Sequence, residues 1–337
     1  MSRVYVEPSG ESLPLAVAEA TGAAEALGGA RAPEESEFDG LMALELADPK
    51  AASALAGRLA LTRRCLIRLG SGSRVEDAAA AEGSHRATAS FRRLGAPSAG
   101  TDPAIHAAAR RYIETGGTID LDSPERRFWI ASDRSGADRL LEEVAAVDRT
   151  AAGRRRMPLL PFQRPVSLPP KLARAAANLG GIRPGDRVLD PFVGTGALLG
   201  EAGLIGAHLY GIDREAAMVR GAVENLAFLG VEAEALLVGD AGEVEFPGAP
   251  LEFDTILTDP PYGRSSSTGG EVADRLVERV VPRWASRLRP GGRVVLVVPA
   301  GAAELPPPWK AIVSIPVRVH RSLTREFRLY ARTTGSA

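Results

Sequence analysis

Asp190-Pro191-Phe192-Val193-Gly194-Thr195-Gly196 ends the strand-like run Arg187–Phe192 and begins the helix-like run Ala197–Gly206. A glycine turn at that point lets the backbone approach a ligand that a side chain would keep away. The alternation continues outward from it. Leu209–Asp213 reads as a second strand leading into a helix over Glu215–Leu229, and Ala235–Gly239 as a third strand. Asp254–Thr258 precedes a helix from about Val272 to Leu288, capped by Pro290-Gly291-Gly292. Arg293–Pro299 is a near-continuous apolar run, as a parallel strand buried on both faces should be. Ala311–Val319 and Arg325–Arg332 are joined by only a few residues, so they pair antiparallel. Strand–helix units finishing in an antiparallel hairpin predict an α/β fold, a doubly wound sheet with a reversed edge strand.

Upstream, residues 149–170 mark a boundary. Arg149 and Arg154-Arg155-Arg156 are followed by Pro158, Pro161, Pro165, Pro169 and Pro170. That proline density excludes a continuous helix and predicts an extended linker. Before it, short pieces alternate: strand Val4–Val6, helix Leu13–Leu27 closed by Gly28-Gly29, and strand Leu41–Leu46. A helix starting near Pro49 carries Leu55, Leu59 and Thr62, and strands Arg86–Leu94 and Arg127–Ser132 flank a helix near Ala104–Glu114. This is an α+β region of two small subdomains, 1–57 and 58–148, ahead of residues 171–337.

The 337 residues exceed the usual single-domain size, and 45% apolar with 25% charged residues is a soluble globular composition. No uncharged apolar run approaches the roughly 18 residues of a membrane span, and no apolar leader follows Met1. A cytoplasmic monomer is expected. Cys65 is the one cysteine, and His85, His106, His208 and His320 lie far apart, so neither a disulfide nor a metal site is expected. The net charge of −1 hides an asymmetry. Residues 1–57 hold three bases against ten acids, and residues 58–111 hold ten arginines against four acids. Arg63-Arg64, Arg92-Arg93 and Arg110-Arg111 come as pairs, which could bridge neighbouring phosphates of a nucleic acid. The plainer reading is that they solvate the surface or pair with the acids of residues 1–57.

Three acids stand at successive strand ends: Asp190, Asp213 and Asp240. Such an acid is more often a cap or turn former than a ligand, but ligands of open α/β sheets bind at this end of the strands. An NAD fingerprint would be Gly-x-Gly-x-x-Gly, and Gly200 falls one position late for it. The acid before Gly194 suits S-adenosylmethionine, whose ammonium needs a carboxylate. Asp213 could then take the ribose hydroxyls and Asp240 the adenine amino group. The fourth strand ends Thr258-Asp259-Pro260-Pro261-Tyr262-Gly263-Arg264. Two prolines fix that backbone and remove donors, so the turn presents acceptors. Asp259 and the Pro260 carbonyl can accept both N–H groups of an exocyclic amine, and Tyr262 can stack on its ring.

With these two segments in order, the chain resembles the archaeal form of the tRNA guanine-N2 methyltransferases that modify guanosine 10. The similarity spans about Pro161 to Arg332, including Phe162-Gln163-Arg164-Pro165-Val166-Ser167-Leu168 and Lys171-Leu172-Ala173-Arg174. The N-terminal half is similar more loosely, at Gly10-Glu11-Ser12, Leu59–Arg64, Ser90–Gly95 and Ile119–Pro124. The resemblance implies a Rossmann-like class I methyltransferase domain at 171–337 that uses S-adenosylmethionine. It also implies a ferredoxin-like piece at 1–57 and a THUMP domain at 58–148 that grips tRNA. Asp259, Pro260 and Tyr262 are the expected catalytic residues. Ser167, Asp190, Phe192, Gly194, Gly196, Asp213, Arg214, Asp240, Ala241 and Asp259 are expected around the cofactor. Arg63, Arg64, Arg92, Arg93 and Arg264 are expected to meet the tRNA. Guanosine 6 or another RNA guanine is the alternative target, and a non-catalytic RNA-binding adaptor the alternative of another class. Glutamine methyltransferases of release factors carry Asn in place of Asp259, and DNA adenine methyltransferases usually lack a long N-terminal half. Retention of Asp259 and Tyr262 speaks against the adaptor.

Overall fold

Val4, Tyr5 and Val6 are buried, and they make β1 (Ser2–Pro8) a central rather than an edge strand. It is followed by α1 (Leu13–Ala26), β2 (Ala30–Arg31), β3 (Met42–Leu46), α2 (Ala51–Arg58), β4 (Thr62–Arg68), α3 (Val75–Gly83) and β5 (Thr88–Arg93). Then come α4 (Pro103–Glu114), β6 (Thr118–Ile119), β7 (Arg126–Ser132) and β8 (Asp138–Ala146). This computed structural model describes all residues except 1, 33–34, 49, 71–72, 96–101, 149, 156–158, 165–166, 248–250, 263–272, 321–322 and 334–337. Pro49, Arg149, Arg156, Pro158, Pro165 and Arg264 therefore lie outside the described residues.

Two compact units emerge, each discontinuous in sequence. The first comprises residues 1–9, 27–57 and 62–147. Its strands form one sheet in the order β2-β3-β1-β4-β8-β7-β5-β6. β1 pairs with both β3 and β4, so the sheet runs without a break across residue 57. Alternation along β7 sends Phe128 and Ile130 into a cluster with Tyr112 of α4, and Trp129 into another with Tyr5, Phe38 and Leu141.

The second unit comprises residues 10–26, 58–61 and 148–337. After α5 (Ala151–Arg154) and α6 (Pro170–Leu179) come β9 (Arg187–Asp190), α7 (Ala197–Gly203), β10 (His208–Asp213), α8 (Ala216–Phe228) and β11 (Ala235–Val238). β12 (Phe253–Thr258), α9 (Ala273–Ala285), β13 (Leu288–Pro299), β14 (Trp309–His320) and β15 (Leu323–Arg332) complete it. The sheet order is β11-β10-β9-β12-β13-β15-β14, with β15 antiparallel to both its neighbours and the first five strands parallel. The reversed strand is thus not at the edge: β15 inserts between β13 and β14, and β14 is the edge. Pro290-Gly291-Gly292 does not cap a helix either. It lies within β13, where the register against β12 jumps between Phe253 and Thr255 and Gly291 takes φ +81. Strand order reverses between β9 and β12, the switch point where ligands bind in such sheets.

α1 packs on α6 within this unit. Gly22 permits the approach, since a Cβ there would lie 2.2 Å from the carbonyl oxygen of Asn178. Glu19, fully buried, accepts hydrogen bonds from the amides of Ala60 and Leu61 at 2.8 Å each and from Nδ2 of Asn178 at 3.0 Å. Arg58 donates to Oδ1 of Asn178 and to the carbonyl of Ile182. Leu15, Ala16 and Leu61 join the core formed by α6, α7 and the sheet. A second core, around Trp284, Val280 and Phe253, fills the side covered by α9.

Candidate active site

Asp190 is 2% exposed at the end of β9. Its Oδ1 accepts from the amide of Phe192 at 3.0 Å and from Oγ1 of Thr258 at 2.6 Å, which ties the first turn to the end of β12. Asp213, at the end of β10, accepts from the amides of Gly194 and Glu215 at 2.9 Å each. Two carboxylates therefore shape the glycine turn, and Gly194 takes φ +52 with nothing closer to a built Cβ than the Phe192 carbonyl at 3.9 Å. Burial pushes the Asp190 carboxyl up to about 7 and raises that of Asp213. Asp240 differs. Hydrogen bonds from Arg279 at 3.0 and 3.2 Å pull its pKa down, and Arg214 stands 3.6 Å away.

These acids line a cavity of about 480 Å³. Ser167, Phe192, Gly194, Arg214, Ala241, Asp259, Pro260 and Tyr262 share its wall, so most expected site residues converge. Gly196 does not line it. At φ +79 it starts α7, and a Cβ there would meet Ala222 of α8 at 3.3 Å. Sequence reasoning missed Arg164, Glu215, Met218 and Arg325, which also face the cavity. Glu215 had a signal, two residues after a strand-end acid. Ser167 meets the hydroxyl of Thr195 at 2.9 Å, which anchors the segment before α6 to the glycine turn.

Arg325 changes the picture of Asp259. It is 4% exposed on β15, and its Nη1 lies 2.7 Å from Oδ2 of Asp259. Burial raises the Asp259 carboxyl to about 6, against the opposing pull of the Arg325 charge. Oδ1 of Asp259 is buried, and the Tyr262 hydroxyl against the carboxylate draws its pKa down as well. The Arg325 guanidinium carbon also lies 5.4 Å from the centroid of the Tyr262 ring.

The arginines of the first unit are less free than their pairing in sequence suggested. Successive residues of a strand point to opposite faces, so adjacency of Arg92 and Arg93 in β5 does not give adjacent guanidinium groups, whereas Arg63 and Arg64 of β4 meet at Glu7. Arg63 contacts Glu7 at 3.1 Å, and Arg64 bridges Glu7 at 2.7 Å and Glu143 at 3.2 Å while lying 3.7 Å from the Trp129 centroid. Arg93 is clasped by Asp138, at 2.7 Å, and by Asp102. Arg92 is exposed. Among the described residues no group of His, Cys, Asp and Glu could hold a metal, and no helix is long and apolar enough to cross a membrane.

A seven-stranded sheet of this order, with carboxylates closing its first three strands and Asp-Pro-Pro-Tyr its fourth, is the architecture of a Rossmann-like class I methyltransferase domain. Residues 159–303 match a family model described as RMKL-like, methyltransferase domain. The chain is 35% identical over 224 residues to the tRNA (guanine(10)-N2)-dimethyltransferase of Methanothermobacter thermautotrophicus, covering 65% of each. It is 42% identical over 173 residues to the protein of that name from Pyrococcus abyssi, covering half of each. It thus spans less than two thirds of the length of these two relatives. A shorter relative, named Probable tRNA (guanine(10)-N2)-dimethyltransferase, from Methanothermococcus thermolithotrophicus, is 31% identical, and 99% of it is covered. The chain belongs to this tRNA (guanine(10)-N2)-methyltransferase family.

Proposed function

We propose that the protein transfers a methyl group from S-adenosylmethionine to the exocyclic N2 of a guanine in tRNA, at guanosine 10. The observation that carries this reading is the Asp259-Pro260-Pro261-Tyr262 turn facing the same cavity as Asp190, Gly194 and Asp213. The names of the relatives support it.

The donor set fits the cofactor. Asp190, sealed from water, calls for a cation such as the ammonium of the methionine part. Asp213 keeps lone pairs for ribose hydroxyls beyond the two amides it already accepts. Asp240, fixed by Arg279, is the acceptor for the adenine amino group. Gly194 leaves room where a side chain would intrude. Bound there, S-adenosylmethionine would supply a methyl on a positively charged sulfur, which becomes a neutral thioether as the nitrogen lone pair takes the methyl.

The guanine amine is a poor nucleophile because its lone pair is delocalised into the ring. The Asp259 carboxylate and the Pro260 carbonyl accept its N–H groups and favour a tetrahedral nitrogen. Hydrogen bonds to a charged partner contribute about 1.5–3 kcal/mol. Holding the nitrogen in line contributes more, up to about 7–11 kcal/mol. Tyr262 stacks on the base and offsets part of the few kcal/mol needed to unstack it. The proton left on nitrogen after transfer passes to Asp259 or to water.

In this reading residues 1–57 are ferredoxin-like, 58–148 are THUMP-like, 149–170 are the linker, and 171–337 carry the chemistry. By packing, α1 and residues 58–61 accompany the chemistry-bearing part. The test is mass spectrometry of nucleosides from an unmodified tRNA incubated with the protein and S-adenosylmethionine, with the site mapped. Methylguanosine at position 10 is expected, and the mass reads one methyl against two. Methyl at guanosine 6 would move the target, and no methyl on any guanine would sink the reading.

A further inference from the structure

We propose that Arg325 is a positioning residue of this site, holding Oδ2 of Asp259 so that the carboxylate keeps its orientation and its charge beside the substrate amine. The inference rests on the methyl transfer proposed above and adds a residue from the C-terminal hairpin to it. Arg325 lies on β15, reaches the cavity, and donates to Asp259 at 2.7 Å from a nearly sealed position. A buried guanidinium needs a charged partner, and the Asp259 carboxylate is in contact with it. With Oδ2 engaged by Arg325 and the Tyr262 hydroxyl against the same group, the carboxylate cannot rotate freely. The same cation lies near the Tyr262 ring, so one side chain braces both the acceptor and the stacking surface.

The pair also accounts for an acid rather than an amide at 259. An asparagine would give its only oxygen to Arg325 and turn N–H donors toward the N–H groups of the substrate. Three groups set the ionisation of Asp259: Arg325 from β15, Tyr262 from its own turn, and Asp190 from the end of β9, which repels it. Of these, Arg325 does most to hold the carboxylate charged against burial, and the Tyr262 hydroxyl adds to it. Removing its charge must make Asp259 harder to ionise.

The test compares Arg325→Gln and Arg325→Lys with the wild type on tRNA, recording kcat and KM from pH 5.5 to 9. For Arg325→Gln the acidic limb of kcat should move about one unit toward alkaline pH, a tenfold loss at fixed pH below the limb. The KM for tRNA should stay within twofold, and activity should recover toward pH 9. Arg325→Lys keeps the charge and should keep the limb. Arg325→Met, which fills the same volume uncharged, replaces Arg325→Gln if that variant does not fold, as judged by S-adenosylmethionine binding. An uncharged variant with the wild-type limb, or a lysine variant shifted as far as the glutamine one, overturns the inference while wild-type methylation stands. A wild type that methylates no tRNA guanine overturns the reaction and the inference with it.

Discussion

Asp190 carries the most exposed consequence at the scale of one residue, because its burial has a sign that can be measured. Burial lifts its folded pKa to about 7, above the ordinary aspartate value. Between about pH 4 and pH 7 the unfolded chain therefore gives up this proton while the folded chain keeps it. Stability from this residue is lost as pH rises through that window and is level above it. A cation bound beside Asp190 reverses the preference and expels the proton. Affinity for S-adenosylmethionine should rise from pH 5.5 to 7 by up to about tenfold per unit. Calorimetry in buffers of different ionisation heat should detect the proton released. A flat affinity with no proton release would dissociate Asp190 from the ammonium. Asp190, Asp213 and Asp259 were legible in the sequence because strand ends are predictable places. Arg325 was not, because its partner lies 66 residues upstream and only the insertion of β15 beside β13 brings it to the cavity.

Among elements, α1 was readable as a helix from its apolar stripe, but its destination was not. Its docking depends on Gly22, whose missing side chain lets the Asn178 carbonyl approach. Gly22→Ala should force α1 away from α6 and cost about 1–3 kcal/mol, as overpacking does. Thermal melts of the two proteins measure it, and a variant as stable as the wild type would show that the helices separate freely. β4 escaped reading for a different reason. Its Arg63 and Arg64 sit side by side and mask the two-residue period; both pair with Glu7 from the neighbouring β1, and Arg64 pairs with Glu143 of β8 as well. The Pro290-Gly291-Gly292 bulge looked like a helix stop because the same residue types serve both purposes.

For the whole molecule, the arginine excess of residues 58–111 divides into structural and available charge. Arg93 is committed to Asp102 and Asp138, whereas Arg92 is exposed near Trp129. Arg92→Glu should raise the KM for tRNA and flatten its salt dependence while leaving the melting temperature unchanged. Arg93→Glu should lower the melting temperature, since it sets a third carboxylate against two others. An Arg92→Glu enzyme with wild-type KM at low and high salt would remove this surface from tRNA capture. Charge counting marks this region, and strand geometry separates the committed arginine from the exposed one.

Between residues 9 and 148 the backbone passes from one unit to the other five times. On the ribosome, α1 emerges roughly 140 residues before the helix it packs against, a wait on the order of ten seconds. Its apolar stripe must be sheltered or idle for that time. The first unit, complete at residue 147, can finish folding meanwhile. The second cannot begin to close around α1 until α6 has been made. Nor can either unit be grafted onto another protein with a single cut, because a transplant of the catalytic part must bring residues 10–26 and 58–61 along.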